Sequence, residues 1–142
     1  MDGLRQIAVV FTGGTISMVN DSSAGGVVPT LDGAGILART PGVEAIAVVV
    51  ALDWGRKPAS HLTFPELLDL AATIRARSAD PTVDGVVVVQ GTDTIEESAF
   101  AFDLLVDTAK PVVVTGAMRD ASQPDDDGPA NLRAAIAAAA SD

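Results

Sequence analysis

Ile7-Ala-Val-Val-Phe-Thr-Gly-Gly-Thr-Ile16 and Val86-Val-Val-Val-Gln-Gly-Thr-Asp-Thr-Ile95 share one pattern: an apolar, largely β-branched run that stops at a cluster of glycine and threonine. A run that is apolar at every position suits a strand buried on both faces, as in a parallel sheet. In open α/β sheets, ligands bind at the carboxyl edge, where the loops leave the strands. Both clusters are therefore expected on that edge, with Thr12, Thr15, Thr92, Asp93 and Thr94 facing one cleft. Hydroxyls and a carboxylate gathered there point to acyl transfer with a threonine nucleophile.

Working outward, strand patterns are expected at residues 6–11, 43–51, 85–90 and 111–115. Between the later ones lie helices. Leu62-Thr-Phe-Pro-Glu66 opens one, with Thr63 as N-cap, Pro65 in the first turn and Glu66 three residues after the cap. Leu67, Leu70, Ala71 and Ile74 recur at helical spacing. A second helix is expected over about 94–107, with Phe100, Leu104 and Leu105 on its buried side. A third begins near Pro129 and carries Leu132, Ala135, Ile136 and Ala139 to the chain end. Strands alternating with helices imply βαβ units, hence an α/β, doubly wound, mostly parallel sheet. Residues 12–30 hold glycines and serines without sustained periodicity, so a lid is expected there, mobile over 18–28. The closing Ala134-Ala-Ile-Ala-Ala-Ala-Ala140 has no Gly or Asn cap. Residues 1–142 thus read as one α/β domain cut off partway through a larger unit.

Composition narrows the function. The 142 residues are 48% hydrophobic, enough for one domain with a core. Nine basic against 19 acidic residues give a net charge of −10, which disfavours nucleic acid as a partner. There is no cysteine and a single histidine, His61, so neither a disulfide framework nor a Cys- or His-rich metal site is expected. The apolar runs fall well short of the ~18 residues of a membrane span. The start has no secretory apolar region. No membrane partner and a cytoplasmic location are expected.

A hydroxyl attacks only when a base takes its proton and amide dipoles receive the developing oxyanion. Gly13 and Gly14 let backbone approach a substrate carbonyl, and the turn lacks the lysine of a phosphate-binding loop. In the second cluster Asp93 or Thr94 suits helix capping, and Glu96 and Glu97 suit the first turn. Capping does not explain why Thr92 and Asp93 follow directly on a buried strand. A carboxylate there can receive a substrate ammonium, and a threonine can relay a proton. His61 reads as a loop or helix-entry residue rather than a base, Trp54 with Arg56 and Lys57 as a surface connection, and Asp125 to Asp127 as a solvated acidic loop rather than a cation site.

Four stretches extend the reading: Phe11-Thr-Gly-Gly-Thr-Ile-Ser17, Gln90-Gly-Thr-Asp-Thr-Ile-Glu-Glu97, Lys110-Pro-Val-Val-Val-Thr-Gly-Ala-Met-Arg119 and Asp127-Gly-Pro-Ala-Asn-Leu132. In this order and spacing the chain resembles the N-terminal portion of bacterial L-asparaginases of the type I/type II amidohydrolase family. The resemblance implies Thr15 as nucleophile, Thr92 as second catalytic threonine, and Asp93, Ser60, Gly14 and Gly91 as substrate-binding residues. It implies hydrolysis of asparagine, with glutamine a poorer substrate, through an acyl-enzyme and without cofactor or metal. It also implies a C-terminal domain and a homo-oligomer for the full-length protein. Three departures stand out. There is no tyrosine for the lid; Ala59-Ser60 occupies the place of the family's Ser-Gln pair; and neither lysine, Lys57 nor Lys110, takes the place of the catalytic one, expected past Asp142. Two rival readings are the amidase subunit of a tRNA-dependent amidotransferase and a non-catalytic amino-acid-binding or assembly module.

Overall fold

The computed structural model describes residues 3–141. In chain order its elements are β1 (Arg5–Phe11), β2 (Met18–Asp21), β3 (Gly26–Pro29), α1 (Gly33–Ala38), β4 (Ala47–Asp53), α2 (Phe64–Ala79), β5 (Gly85–Val89), α3 (Ile95–Leu105), β6 (Val112–Thr115) and α4 (Gly128–Ala139). The main sheet has the order β4-β1-β5-β6, and every pair in it is parallel. Strands β1 and β5 occupy its centre, which is why their runs are apolar throughout.

Alternation sorts their side chains into two layers. Ile7, Val9, Phe11, Val87 and Val89 pack with Ile36 of α1 and Leu132, Ala135 and Ile136 of α4. On the opposite face, Ala8, Val10, Val86 and Val88 pack with Leu70, Ala71 and Ile74 of α2 and Phe102 of α3. The sheet is doubly wound, as expected. Helix α2 starts as its sequence requires. Thr63 Oγ1 accepts from Glu66 N at 3.4 Å, and the Glu66 carboxylate accepts from Thr63 N at 3.0 Å. Among the described residues no helix is long and apolar enough to cross a membrane.

Three expectations fail locally. The run 43–51 is not all strand: Gly42 is left-handed, Val43–Ala45 forms a 3-10 turn, and pairing with β1 begins at Ala47. Val43 is buried in the core layer shared with α1 and α4, so its apolar character serves the turn. In α3 the buried face carries Ser98 and Phe102, continued by Val106, whereas Phe100 and Leu104 are 66% and 69% exposed. Positions 98, 102 and 106 recur every four residues, and this stripe meets the sheet. Leu105 is partly buried, in line with expectation. Residues 18–29 form the antiparallel hairpin β2–β3 instead of an irregular lid. Local polar bonds order its tip: the Asp21 carboxylate accepts from Ser23 N at 2.8 Å and Ala24 N at 3.4 Å. Ala121 N donates to Met18 O at 2.9 Å and ties the hairpin to the loop before α4.

Candidate active site

Parallel register brings four strand ends to one edge. Phe11 pairs with Asp53 on one side and Val89 on the other, and Val89 pairs with Thr115. The loops that follow these residues leave the sheet together.

After Phe11 the chain turns sharply. Thr12 does not face the cleft as expected; it is buried, and its N–H and Oγ1 both donate to Val89 O, at 2.9 and 3.0 Å. That bond joins the ends of β1 and β5 and uses up the hydroxyl. Gly14 follows at φ +86°, where a Cβ would lie 2.4 Å from Gly91 N. A single 3-10 turn, Thr15–Ser17, comes next, held by Ser17 N and Ser17 Oγ donating to Gly14 O at 3.0 and 2.7 Å. Thr15 opens this turn and is half-buried.

The second loop repeats the arrangement. Gly91 lies against Gly14 and against buried Ala59, and a Cβ on it would stand 3.0 Å from Ala59 N. A 3-10 turn over Thr92–Thr94 then runs into α3. Thr94 is the N-cap, yet its side chain makes no capping bond, and Asp93 is exposed. Among the described residues the Thr92 hydroxyl and the Asp93 carboxylate hold no hydrogen bond, so the capping reading does not account for them. Glu96 and Glu97 do lie in the first turn.

Ser60 reaches this edge on the 3-10 turn Ala59–His61, which packs against the Thr92–Thr94 turn. Ser60 and Thr94 line a crevice of about 150 Å³ with Leu62, Leu67 and Glu97. His61 is exposed on the same turn, a helix-entry residue as expected. Trp54 is half-buried, with Nε1 donating to Asp69 at 2.8 Å, and so is anchored more firmly than a surface connection.

Neither lysine accompanies Thr92 and Asp93. Lys57 Nζ pairs with Glu66, and Lys110 Nζ donates to Asp80 O at 2.6 Å beyond the opposite edge of the sheet. The Lys57 contact, with the Thr63 amide and hydroxyl, brings the Glu66 carboxyl down from 4.5 to about 2.

Asp127 organises the neighbouring loop. Its carboxylate accepts from Met118 N at 3.1 Å, Arg119 N at 2.9 Å and Asn131 Nδ2 at 2.9 Å. Burial pushes its pKa up, but the Arg119 and Met118 amides and Asn131 outweigh this and hold the pKa below the ordinary carboxylate value. Asn131 Nδ2 also donates to Gly116 O at 3.0 Å, fixing α4 to the loop after β6. Asp127-Gly-Pro thus orders this turn. Among the described residues no group of three or more His, Cys, Asp or Glu is placed to hold a metal ion.

Residues 6–142 match the family model described as Asparaginase, N-terminal. The chain belongs to the asparaginase family. It is 38% identical over 141 residues to Probable L-asparaginase 4 of Schizosaccharomyces pombe, a match covering 97% of this chain and 40% of that protein. It is 34% identical over 142 residues to the Glutaminase-asparaginase of Acinetobacter glutaminasificans, covering 96% and 42%. A third relative is a subunit of the Glutamyl-tRNA(Gln) amidotransferase of Halobacterium salinarum, 37% identical over 145 residues, covering 99% and 33%. The chain spans about two fifths of the length of the two asparaginase relatives. The mostly parallel α/β sheet accords with an asparaginase N-terminal domain.

Two residues that matter to this edge of the asparaginase-family chain gave little sign of it in the sequence. Gln90 is fully buried just ahead of Gly91, and Gly116 sits so close that a Cβ would lie 2.4 Å from Gln90 O. A polar residue directly after four consecutive valines was the local signal for Gln90.

Proposed function

We propose that this chain is the N-terminal α/β domain of a cytoplasmic amidohydrolase that cleaves the side-chain amide of L-asparagine. Thr15 Oγ1 attacks the amide carbon, the C–N bond breaks, and the nitrogen takes the hydroxyl proton and leaves as ammonia. Water then adds to the ester, the bond to Thr15 breaks, and Oγ1 regains a proton. Thr92 relays the proton, and Asp93 holds the substrate α-ammonium. Gly14 and Gly91 offer backbone to the substrate, Ser60 adds a hydroxyl, and the Gly14 and Thr92 amides stabilise the oxyanion. No cofactor or metal takes part.

The observation that carries this reading is the contact of Gly14 with Gly91, which joins two Gly/Thr turns whose Thr92 and Asp93 side chains hold no hydrogen bond among the described residues. Glutamine is included as a second substrate because one relative is named a glutaminase-asparaginase. A tRNA-linked amidase remains the second reading, supported by the relative from Halobacterium salinarum and by the same amide chemistry. With its lysines committed elsewhere, the 142-residue chain alone releases ammonia slowly. A homo-oligomer with further chain completes the site.

Intact-mass analysis of the chain incubated with L-asparagine tests this. An ester adduct on Thr15, absent from Thr15→Ala, is the expected result. An adduct on another residue, or ammonia release that survives Thr15→Ala, overturns the reading.

A further inference from the structure

Gln90 departs from the pattern that makes β5 a buried strand. It follows four valines and is fully buried, yet it carries a side-chain amide. Its Nε2 donates to Gly91 O at 3.4 Å, and its Oε1 has no hydrogen-bond partner. A buried acceptor left unmade costs about 1–3 kcal/mol, so an alkyl side chain would serve stability better. Some other gain must offset the amide.

The carbonyl that Gln90 holds belongs to the Gly91–Thr92 peptide, whose other polar group is the Thr92 N–H. In a planar trans unit these two groups point in opposite directions, so fixing the oxygen fixes the N–H. The restraint is needed at this place. Glycine fits closely at position 91, because a Cβ there would stand 3.0 Å from both Ala59 N and Ala59 Cβ and would push the Ala59 turn away. Glycine is also the residue whose backbone torsions are least confined. Close packing therefore puts the softest peptide of the loop directly ahead of the N–H assigned to the oxyanion.

We infer that Gln90 is a positioning residue: its side-chain amide pins the Gly91–Thr92 peptide so that Thr92 N–H keeps one direction at the carboxyl edge. What that N–H does rests on the amidohydrolase reading; the pinning does not. It also accounts for the unpaired Oε1, since the bond that matters is made by the other half of the amide.

Backbone ¹⁵N relaxation on the 142-residue chain tests this without any turnover. In the unaltered chain Gly91 and Thr92 should be as rigid as Val88, with order parameters of about 0.85. Gln90→Met keeps the length of the side chain and removes the donor. It should lower both values below about 0.6, leave Gly14 and Val88 unchanged, and not reduce Tm. Gln90→His retains an N–H donor and should restore rigidity at Gly91 and Thr92. Rigid Gly91 and Thr92 in the Met variant overturn the proposal, as does loosening that spreads along β5 with a fall in Tm. Failure of the His variant to restore rigidity overturns it too. If Gln90→Met does not fold, Gln90→Leu is read at the same two residues by the same criterion. A negative result here leaves Thr15 as nucleophile untouched, because that assignment is read by adduct formation.

Discussion

Gly14 and Gly91 meet backbone to backbone: a Cβ built on Gly14 would stand 2.4 Å from Gly91 N and 2.5 Å from its Cα. The turn after β1 and the turn after β5 therefore adjoin with no side chain between them. This contact sets the separation of the Thr15 and Thr92 loops.

Gly14→Ala should be one of the most damaging single-methyl changes in the chain. It combines left-handed strain, about 1–3 kcal/mol, with an overlap against backbone that cannot rotate away. Urea unfolding should show a loss of at least about 2 kcal/mol by the same reasoning. A loss under about 0.5 kcal/mol, the size of a neutral surface change, would mean that the two turns are not in contact.

Helix α3 offers a paired test of its phase. Phe102→Ala should cost about 3–5 kcal/mol, as for other buried aromatic truncations. Phe100→Ala, on the exposed face, should stay within about 0.5 kcal/mol. Chemical denaturation of both variants decides between the phase described here and the opposite one.

The α2 N-terminus should respond to acid in a defined window. Glu66 titrates at about 2 in the folded chain against 4.5 ordinarily, so its carboxylate form favours folding. That contribution is complete above 4.5 and is lost as pH falls towards about 2. The unaltered chain should therefore lose more Tm across this window than Glu66→Gln does. Equal slopes would show that the contacts of Glu66 with Lys57 and Thr63 do not persist in solution.

In a polypeptide that turns over, Asp93→Asn should act mainly on substrate capture. A hydrogen bond to a charged group contributes about 1.5–3 kcal/mol, and about 1.4 kcal/mol is tenfold, so KM should rise by roughly one to two orders of magnitude. Thr15→Ala should instead remove kcat. Steady-state kinetics separate the two, and an unchanged KM in Asp93→Asn would remove Asp93 from ammonium binding.

The layers of the fold were legible because each rests on short-range pattern. Two all-apolar runs mark the central strands, and Thr63, Pro65 and Glu66 mark the start of α2. The Gly/Thr clusters marked the edge where candidate site residues lie. The hairpin β2–β3 carries only the local Asp21 turn as a trace; what ties it to the domain is the Met18–Ala121 bond, formed with a residue over a hundred positions away.

The sequence alone determined the parallel centre of the sheet, the capped entry to α2 and the location of both Gly/Thr turns, since strand burial, capping and glycine turns depend on residues adjacent in the chain. Tertiary structure alone decided which side of α3 is buried, that Val43 belongs to a turn, that Thr12 spends its hydroxyl on Val89 O, and that Gln90 is buried beside Gly91. Each of those depends on what the packed chain brings opposite the residue. An apolar or polar side chain carries no record of its partner until the layers close around it.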